Sequence, residues 1–291
     1  MNIKEQKILS PNFLPGLLGS FAKPAAENPT VAIMEAAFRH HQLHYRYINC
    51  EVGPENLYAA VEGAKAMGWR GFNCSIPNKV KVMKYLDRIG ESAQIIGAVN
   101  TVVIAPDGRT TGENTDGKGF VKAISEVTSI PGKKAVIFGA GGAARAIAVE
   151  MALAGVGEII IVNVSERGKS LSDLLNSRTP AKASFLPWNR PFSIPSDADI
   201  VINATIMGMK PHEDLSPITD KSVFRSDLIV CDVVYNPEET RLLREAKEAG
   251  CAKTIGGKGM LLWQGVAAYK LYTGLDMPVE EYKKYQAENA K

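Results

Sequence analysis

The sequence predicts an α/β fold of two domains, and three observations lead to this prediction. The chain has 291 residues, which is long for one hydrophobic core and comfortable for two. Its first third alternates segments of helical and of strand periodicity. Its middle third contains an unbroken apolar segment, a glycine-rich turn and a helical segment, which is the order of a βαβ unit.

The composition excludes several classes of protein. The chain is 45% hydrophobic and 22% charged with a net charge of +3, as in an ordinary globular protein, and no basic run suggests a nucleic-acid partner. No apolar stretch reaches the ~18 residues of a membrane span, and Met1–Ser10 lacks the apolar centre of a signal peptide. The four cysteines are scattered without a C-x-x-C spacing. We therefore expect a cytoplasmic protein with reduced thiols and no metal site.

The N-terminal third of the chain is predicted to form an α/β layer domain. Pro106-Asp-Gly108 is a turn signal, so the segments before and after it are predicted to pair as a hairpin. Helices are predicted at 31–38, 54–67, 80–89, 260–272 and 279–288, and strands at 45–50, 71–76, 98–104 and 109–112.

The second domain is predicted to span residues 115–258. Lys134–Phe138 is an unbroken apolar strand, typical of a parallel sheet covered on both faces. The helix at 239–249 ends at Gly250, as a C-terminal glycine favours. Further elements are predicted as a helix at 145–154 and strands at 158–162, 200–203 and 228–235. These elements indicate a Rossmann domain.

A glycine-rich turn joins the first strand of this domain to its first helix. In Gly139-x-Gly141-x-x-Ala144, the first glycine permits a tight turn, the second lets the backbone approach a pyrophosphate, and the alanine allows close packing of helix on strand. The alternative is a tight turn without a ligand. We predict dinucleotide contacts along the whole turn: Gly139, Ala140, Gly141, Gly142, Ala143 and Ala144.

The end of the next strand usually distinguishes NAD from NADP, because an acidic residue there binds the ribose diol and an arginine binds the 2′-phosphate. Here Asn163 is followed by Val164-Ser165-Glu166-Arg167, with neither an Asp at the strand end nor an Arg directly after Asn163. We expect Asn163, Ser165 and Arg167 to contact the cofactor. NAD is favoured over NADP.

Lys79 and Asp116 each lie in a short, unusual motif, Gly71-Phe-Asn-Cys-Ser-Ile-Pro-Asn-Lys79 and Glu113-Asn-Thr-Asp-Gly-Lys-Gly-Phe120. Taken singly, Lys79 could be a surface lysine and Asp116 a helix cap. Together with a dinucleotide they suggest a different role. Oxidation of an alcohol needs a group that takes the hydroxyl proton as the hydride leaves, and an amine oriented by a carboxylate can do this.

These motifs resemble those of the shikimate/quinate dehydrogenase family, over residues 18–274. Four further segments carry the resemblance: Ile96-Gly-Ala-Val-Asn-Thr101, Asn203-Ala-Thr-Ile-Met-Gly-Met209, Asp232-Val-Val-Tyr-Asn-Pro237 and Gly259-Met-Leu-Leu-Trp-Gln-Gly265. The resemblance implies a substrate domain of residues 1–114 that is completed by C-terminal helices in residues 259–291, with a Rossmann domain of residues 115–258 inserted between them. It also implies that Lys79 and Asp116 form an acid–base dyad.

The resemblance also implies substrate and cofactor contacts. A side chain that is polar at its tip can fix a hydroxyl by donor–acceptor geometry. Tyr235 as a core aromatic and Gln264 as a surface residue are the alternatives. The implied substrate contacts are Ser75, Asn100, Tyr235 and Gln264, and the implied cofactor contacts are Thr205, Met207 and Gly257.

One departure from the family pattern concerns the substrate. The family carries Ser-x-Ser near its N-terminus for the substrate carboxylate, whereas Asn28 and Thr30 occupy those positions here. Glu27 adds a negative charge that Lys23 could partly offset. A changed contact pair can mean a changed substrate.

The predicted function is NAD(P)-dependent interconversion of a ring secondary alcohol and a ketone on a shikimate- or quinate-like cyclitol acid. Two alternatives stay open. Asn28 and Thr30 favour a dehydrogenase of the same fold that acts on an amino-substituted or non-carboxylated polyol. The other alternative is a non-catalytic dinucleotide-binding sensor. The Lys79–Asp116 pair argues against it, because a sensor needs no proton relay. The predicted partner is a small molecule rather than nucleic acid or membrane, and a homodimer is left open.

Overall fold

The computed structural model describes residues 13–188, 193–280 and 283. The chain divides into two compact units, one containing Met1–Thr115 and Gly265–Lys291 and the other containing Asp116–Gln264. The first unit contains strands β1 (Gly16–Ala22), β2 (Tyr45–Glu51), β3 (Gly71–Cys74), β4 (Arg88–Ile89), β5 (Thr101–Ile104) and β6 (Thr110–Glu113), and helices α1 (Thr30–His40), α2 (Leu57–Ala66) and α3 (Glu91–Ile96).

The first unit is built on a mixed sheet in the order β2-β1-β3-β5-β6-β4. Strands β1, β2 and β3 are parallel, and β5 and β6 form the antiparallel hairpin that the turn at residues 106–108 predicted. Helix α1 buries Ile33, Met34, Ala37 and Phe38, which recur at the three- and four-residue spacing of one helix face. The carboxyl ends of the three parallel strands therefore lie at one edge of this sheet.

The second unit is built on a parallel sheet. Its six strands have the order β12-β11-β10-β7-β8-β9, and the central strand β7 is fully buried from Ala135 to Phe138. The elements are strands β7 (Lys134–Phe138), β8 (Glu158–Asn163), β9 (Lys182–Pro187), β10 (Ile200–Asn203), β11 (Ile229–Asp232) and β12 (Lys253–Ile255), and helices α4 (Asp116–Ser125), α5 (Gly142–Leu153), α6 (Arg167–Arg178) and α7 (Arg241–Glu248).

The boundary between the two units, at residues 264 and 265, falls within helix α8 (Gly257–Thr273). In the first unit its Tyr269 is fully buried, and its hydroxyl lies 2.6 Å from Nδ1 of His41 at the end of α1. This contact attaches the returning C-terminal segment to the N-terminal one. No helix among the described residues combines the length and the hydropathy that a bilayer crossing needs.

The predicted helix at 80–89 is wrong. The chain forms a short 3₁₀ turn, Lys81–Tyr85, and then becomes extended at Leu86. The reason is Asp87, whose Oδ2 accepts hydrogen bonds from the backbone N and from Oγ1 of Thr110 at 2.7 and 2.8 Å. These bonds draw the segment alongside β6, where it pairs as β4. The predicted helix at 279–288 lies largely outside the described residues.

Candidate active site

Lys79 lies on the turn that follows β3 in the first unit, and its side chain is half-buried. Its carbonyl accepts a hydrogen bond from Val99 N at 2.8 Å. The neighbouring Asn78 is fully buried and donates its amide to the carbonyls of Phe21 and Val52 at 3.2 and 2.8 Å. The turn is therefore fixed by bonds to three other segments, so the base of the lysine side chain has a defined position.

Asn100 holds the corner before Asp116. Its Oδ1 accepts from the backbone N of Thr115 at 2.8 Å, and its Nδ2 donates to Thr115 Oγ1 at 3.0 Å. Both residues are buried, and Asp116 is the next residue and the first of α4. Since Val99 directly precedes Asn100, the segment before β5 that hydrogen-bonds to Lys79 also holds Thr115, the residue before Asp116.

Asn28 and Thr30 lie at the start of α1. Asn28 Oδ1 accepts from the backbone N of Thr30 at 3.1 Å, which satisfies one of the otherwise unpaired N–H groups of the first helical turn. Within the described residues no partner is found for the Asn28 amide NH₂ group, which remains a donor for a ligand. Lys23, which could partly offset Glu27, pairs its ammonium with Glu55 at 3.0 Å.

The other predicted substrate contacts differ in exposure. Ser75 is exposed and is held by its backbone N, which donates to Phe21 O at 3.2 Å. Tyr235 is 50% exposed, so it is not a core aromatic. Gln264 is 9% exposed, so it is not a surface residue. Ser75 belongs to the first unit with Asn28, Thr30 and Asn100, whereas Tyr235 and Gln264 belong to the second.

The glycine turn lies between β7 and α5, as predicted. Gly139 has φ +107°, which disfavours any side chain, and a Cβ there would lie 2.8 Å from Ala204 O. A Cβ at Gly141 or Gly142 would meet no described atom within 4 Å, so the surface beside them is open. Helix α5 begins at Gly142 and directs its unpaired N–H groups into that space, which fits a dinucleotide pyrophosphate.

Some side chains after β8 hydrogen-bond to neighbouring residues, and others are exposed. Asn163 Nδ2 donates to the carbonyl and to Oγ of Ser165 at 3.1 and 3.0 Å. Ser165, Glu166 and Arg167 are all exposed, and Arg167 is the first residue of α6. A serine hydroxyl, a carboxylate and a guanidinium are thus available beside the strand end where an adenosine ribose is held in this fold.

A buried polar network joins the loops after β10 and β11. Asn203 Oδ1 accepts from the backbone N and Oγ1 of Thr205 at 3.1 and 2.7 Å, and Asn203 Nδ2 donates to Met207 O and to Asp232 Oδ1, both at 3.0 Å. Asp232 Oδ2 also accepts from Thr240 Oγ1 at 2.7 Å. The network fixes the loop that carries Thr205 and Met207 against the end of β11.

Gly257 adjoins this network. Its N donates to Val234 O at 3.2 Å, and a Cβ on it would clash with the Val233 carbonyl. Within the second unit, the glycine turn, the Thr205 loop and Gly257 follow the carboxyl ends of β7, β10 and β12, which belong to one parallel sheet. In open α/β sheets this edge is where ligands bind.

Comparison with known proteins decides the family. Residues 21–102 match the shikimate dehydrogenase substrate binding domain, and residues 257–283 match the shikimate 5′-dehydrogenase C-terminal domain. A shikimate dehydrogenase (NADP(+)) of Methanocaldococcus jannaschii is 42% identical over 92% of this chain and 94% of that protein. The chain belongs to the shikimate dehydrogenase family. It is therefore an oxidoreductase of the shikimate/quinate type that acts on a CH–OH group with NAD or NADP.

Two solved structures of similar sequence share the fold of this chain. Ligand-free 5-ketofructose reductase of Gluconobacter sp. strain CHM43 has a TM-score of 0.90 and 46% identity, with 95% of this chain and 99% of that chain covered. Shikimate 5-dehydrogenase of Listeria monocytogenes, in complex with shikimate and NAD, has a TM-score of 0.88 and 39% identity, with 93% and 96% covered. The predicted α/β fold with a Rossmann-type domain is confirmed.

Two polar groups in this family member escaped the sequence-based prediction of site residues. Asp232 and Asn203 are buried at 2% and 0% exposure and support the residues predicted to contact ligands. A signal was present, because each is a polar residue at the end of an otherwise apolar strand. Such residues usually need buried partners.

We expect the free energy of unfolding to depend on pH because of the buried carboxyl of Asp232. Burial raises the pKa of its carboxyl to about 6, from an ordinary 3.8, against the opposing effect of three hydrogen bonds. The folded chain therefore binds this proton more tightly than the unfolded chain does. The stabilisation from protonated Asp232 is complete below the unfolded pKa of 3.8 and is lost as the pH rises through the folded pKa of about 6. Relative to Asp232→Asn, the unfolding free energy of the wild type should fall by about 2 kcal/mol between roughly pH 4 and pH 7.

Urea denaturation of both proteins across this pH range measures the difference. Asp227→Asn, which removes an exposed carboxylate from the same unit, is the matched control. A difference between wild type and Asp232→Asn that stays constant over the range would contradict the raised pKa.

Proposed function

We propose that this chain interconverts a secondary alcohol and a ketone on a polyhydroxylated substrate, with Lys79 and Asp116 as its acid–base pair. When bound, the nicotinamide exchanges a hydride with the carbinol carbon. In oxidation the hydroxyl proton passes to the Lys79 amine, and in reduction the Lys79 ammonium returns it to the carbonyl oxygen. Asp116 orients the amine. The fixed Lys79 turn and the Asn100–Thr115 bonds before Asp116 support these roles.

The substrate that we propose is a non-carboxylated polyhydroxy ketone of the 5-ketofructose type. The observation that carries this proposal is the pair Asn28 and Thr30 in place of two serines. Glu27 lies beside them, and the ammonium of Lys23 is paired with Glu55. A substrate carboxylate beside Asn28 and Thr30 would be repelled by the Glu27 carboxylate, and the Lys23 ammonium is already paired with Glu55. A neutral hydroxyl carries no charge for Glu27 to repel. The 46% identity to 5-ketofructose reductase supports the same class.

A shikimate- or quinate-type acid is the second candidate. The relatives named shikimate dehydrogenase favour it, as does the Listeria structure that contains shikimate. Thr30, which retains a hydroxyl, is compatible with a carboxylate contact.

For the cofactor we propose a preference for NAD. Val164 follows Asn163 directly, so no arginine stands at that point to receive a 2′-phosphate, and Glu166 can accept from the ribose diol. Use of NADP is the alternative. It is favoured by the relatives named for NADP(+) and by the exposed guanidinium of Arg167.

Steady-state kinetics with 5-ketofructose, fructose, quinate and shikimate, each with both cofactors, test the proposal. We expect the highest kcat/KM for 5-ketofructose reduction, with NADH preferred to NADPH. A preference for shikimate would overturn the substrate class but not the dyad. Measured dinucleotide binding without turnover of any substrate would instead favour the non-catalytic sensor.

A further inference from the structure

A row of polar side chains crosses the sheet of the first unit. Ser20 of β1 is in register with Asn49 of β2 and with Asn73 of β3, and Asn73 is in register with Thr101 of β5. Residues in register on neighbouring strands point to the same face of a sheet. We call these four residues the polar row.

Side-chain hydrogen bonds connect the polar row. Ser20 Oγ donates to Asn49 Oδ1 at 2.9 Å, and Asn73 Nδ2 donates to Thr101 Oγ1 at 3.0 Å. Tyr47, two residues before Asn49 on the same face of β2, donates its hydroxyl to Asn73 Oδ1 at 2.7 Å and also interacts with Ser20. The Tyr47 hydroxyl therefore joins the two halves of the row.

Each end of the polar row holds a residue that we place in contact with substrate. Asn49 Nδ2 donates to the carbonyl of Asn28 at 3.1 Å. At the other end Thr101 Oγ1 donates to Asn100 Oδ1 at 3.0 Å, and the adjoining Asn73 donates its Nδ2 to the carbonyl of Asn100 at 3.1 Å. The row thus runs from Asn28 to Asn100 within one unit.

The centre of the row is buried and already hydrogen-bonded to the protein. Asn73 is 8% exposed, both of its N–H groups are donated to protein acceptors, and its oxygen accepts from Tyr47. Burial holds the pKa of the Tyr47 phenol well above its usual range, so the phenol stays protonated and remains a donor. The polar groups of Tyr47 and Asn73 therefore hold neighbouring protein groups in place.

We propose that Tyr47 and Asn73 are positioning residues which, through the polar row, set the spacing of Asn28 and Asn100 and thereby the substrate affinity. The proposal rests on the proposed function, because Asn28 and Asn100 are assigned to the substrate there. It extends that function to residues that contact only protein.

Tyr47→Phe tests the proposal, since it removes one hydroxyl and leaves Asn73 Oδ1 without its donor. KM for the preferred ketone should rise about fivefold to tenfold, with kcat and the dinucleotide KM within about twofold of wild type. Tyr45→Phe is the matched control, because Tyr45 is also buried and lies on the same strand and face. It should leave KM unchanged. An unchanged KM in Tyr47→Phe, with only a lower denaturation midpoint, would show a merely structural role and overturn the proposal.

A double-mutant cycle tests the connection to Asn28. If the row couples the two positions, the KM effects of Tyr47→Phe and Asn28→Ser should depart from multiplicativity by about threefold or more, whereas Tyr45→Phe with Asn28→Ser should be multiplicative. Multiplicative effects in both pairs would overturn the coupling. A wild-type protein that turns over none of the substrates would overturn the proposed function itself, so the two failures are distinguishable.

Discussion

Lys79→Ala should lower kcat by about 10²- to 10⁴-fold while leaving the affinity for the dinucleotide nearly unchanged. Removing the amine takes away the group that we propose as the acceptor of the hydroxyl proton, and no other change at the carbinol is expected. The turn itself should persist, because it is fixed by backbone and Asn78 contacts that do not involve the Lys79 ammonium. Turnover and dinucleotide binding are measured separately, by steady-state kinetics and by fluorescence titration.

The control for this prediction lies on the same segment. Lys84→Ala removes an equal charge from an exposed position of the 3₁₀ turn and should retain wild-type turnover. Asp116→Asn should also lower kcat, since an amide orients an ammonium less well than a carboxylate does. Turnover within a few-fold of wild type in Lys79→Ala would remove Lys79 from the mechanism.

The double substitution Asn28→Ser and Thr30→Ser should move the specificity towards carboxylated substrates. It adds a hydroxyl donor at position 28 and keeps the one at position 30, as in the Ser-x-Ser of the family, and hydrogen bonds to a charged group are strong. We expect the ratio of kcat/KM for shikimate to that for 5-ketofructose to rise about tenfold to hundredfold. The ratio is measured with the same cofactor for both substrates.

The matched control for the double variant is Asn56→Ser. Asn56 precedes α2 and is exposed, and its side chain makes no capping bond. This control should leave the ratio of the two kcat/KM values unchanged. An unchanged ratio in the double variant would show that Asn28 and Thr30 do not select the substrate.

The sequence predicted those elements whose signals are local. Lys134–Phe138, the glycines that follow and the next helix were predicted because an apolar run, a turn and a helical period are read within about twenty residues. Strand β1 was missed because it is buried along most of its length and contains two glycines, so it shows no alternation. Strand β9 was missed because it is an exposed edge strand with a lysine and a proline at its ends.

The same limit applies to the site. Lys79, Asp116 and the glycine turn lie in motifs that are contiguous in sequence, so pattern and family resemblance were enough to propose them. The bond from Tyr47 to Asn73 joins residues 26 apart in sequence, and the one from Asn203 to Asp232 joins residues 29 apart. Such contacts follow from sheet register, which a single sequence does not specify.

The hydrogen bond of Asn28 at the start of α1 restricts which residues can replace it as the substrate contact that we propose. The side-chain oxygen closes the first turn of α1, so a replacement that adapts the pocket must also supply that acceptor. Serine, threonine, aspartate and asparagine meet this condition, whereas hydrophobic residues would cost about 1 kcal/mol of helix stability. Helix stability therefore favours the few helix-capping residue types at position 28. Replacement of serine by asparagine stays within these residue types. Position 28 can therefore acquire a longer amide donor while the helix keeps its first side-chain hydrogen bond.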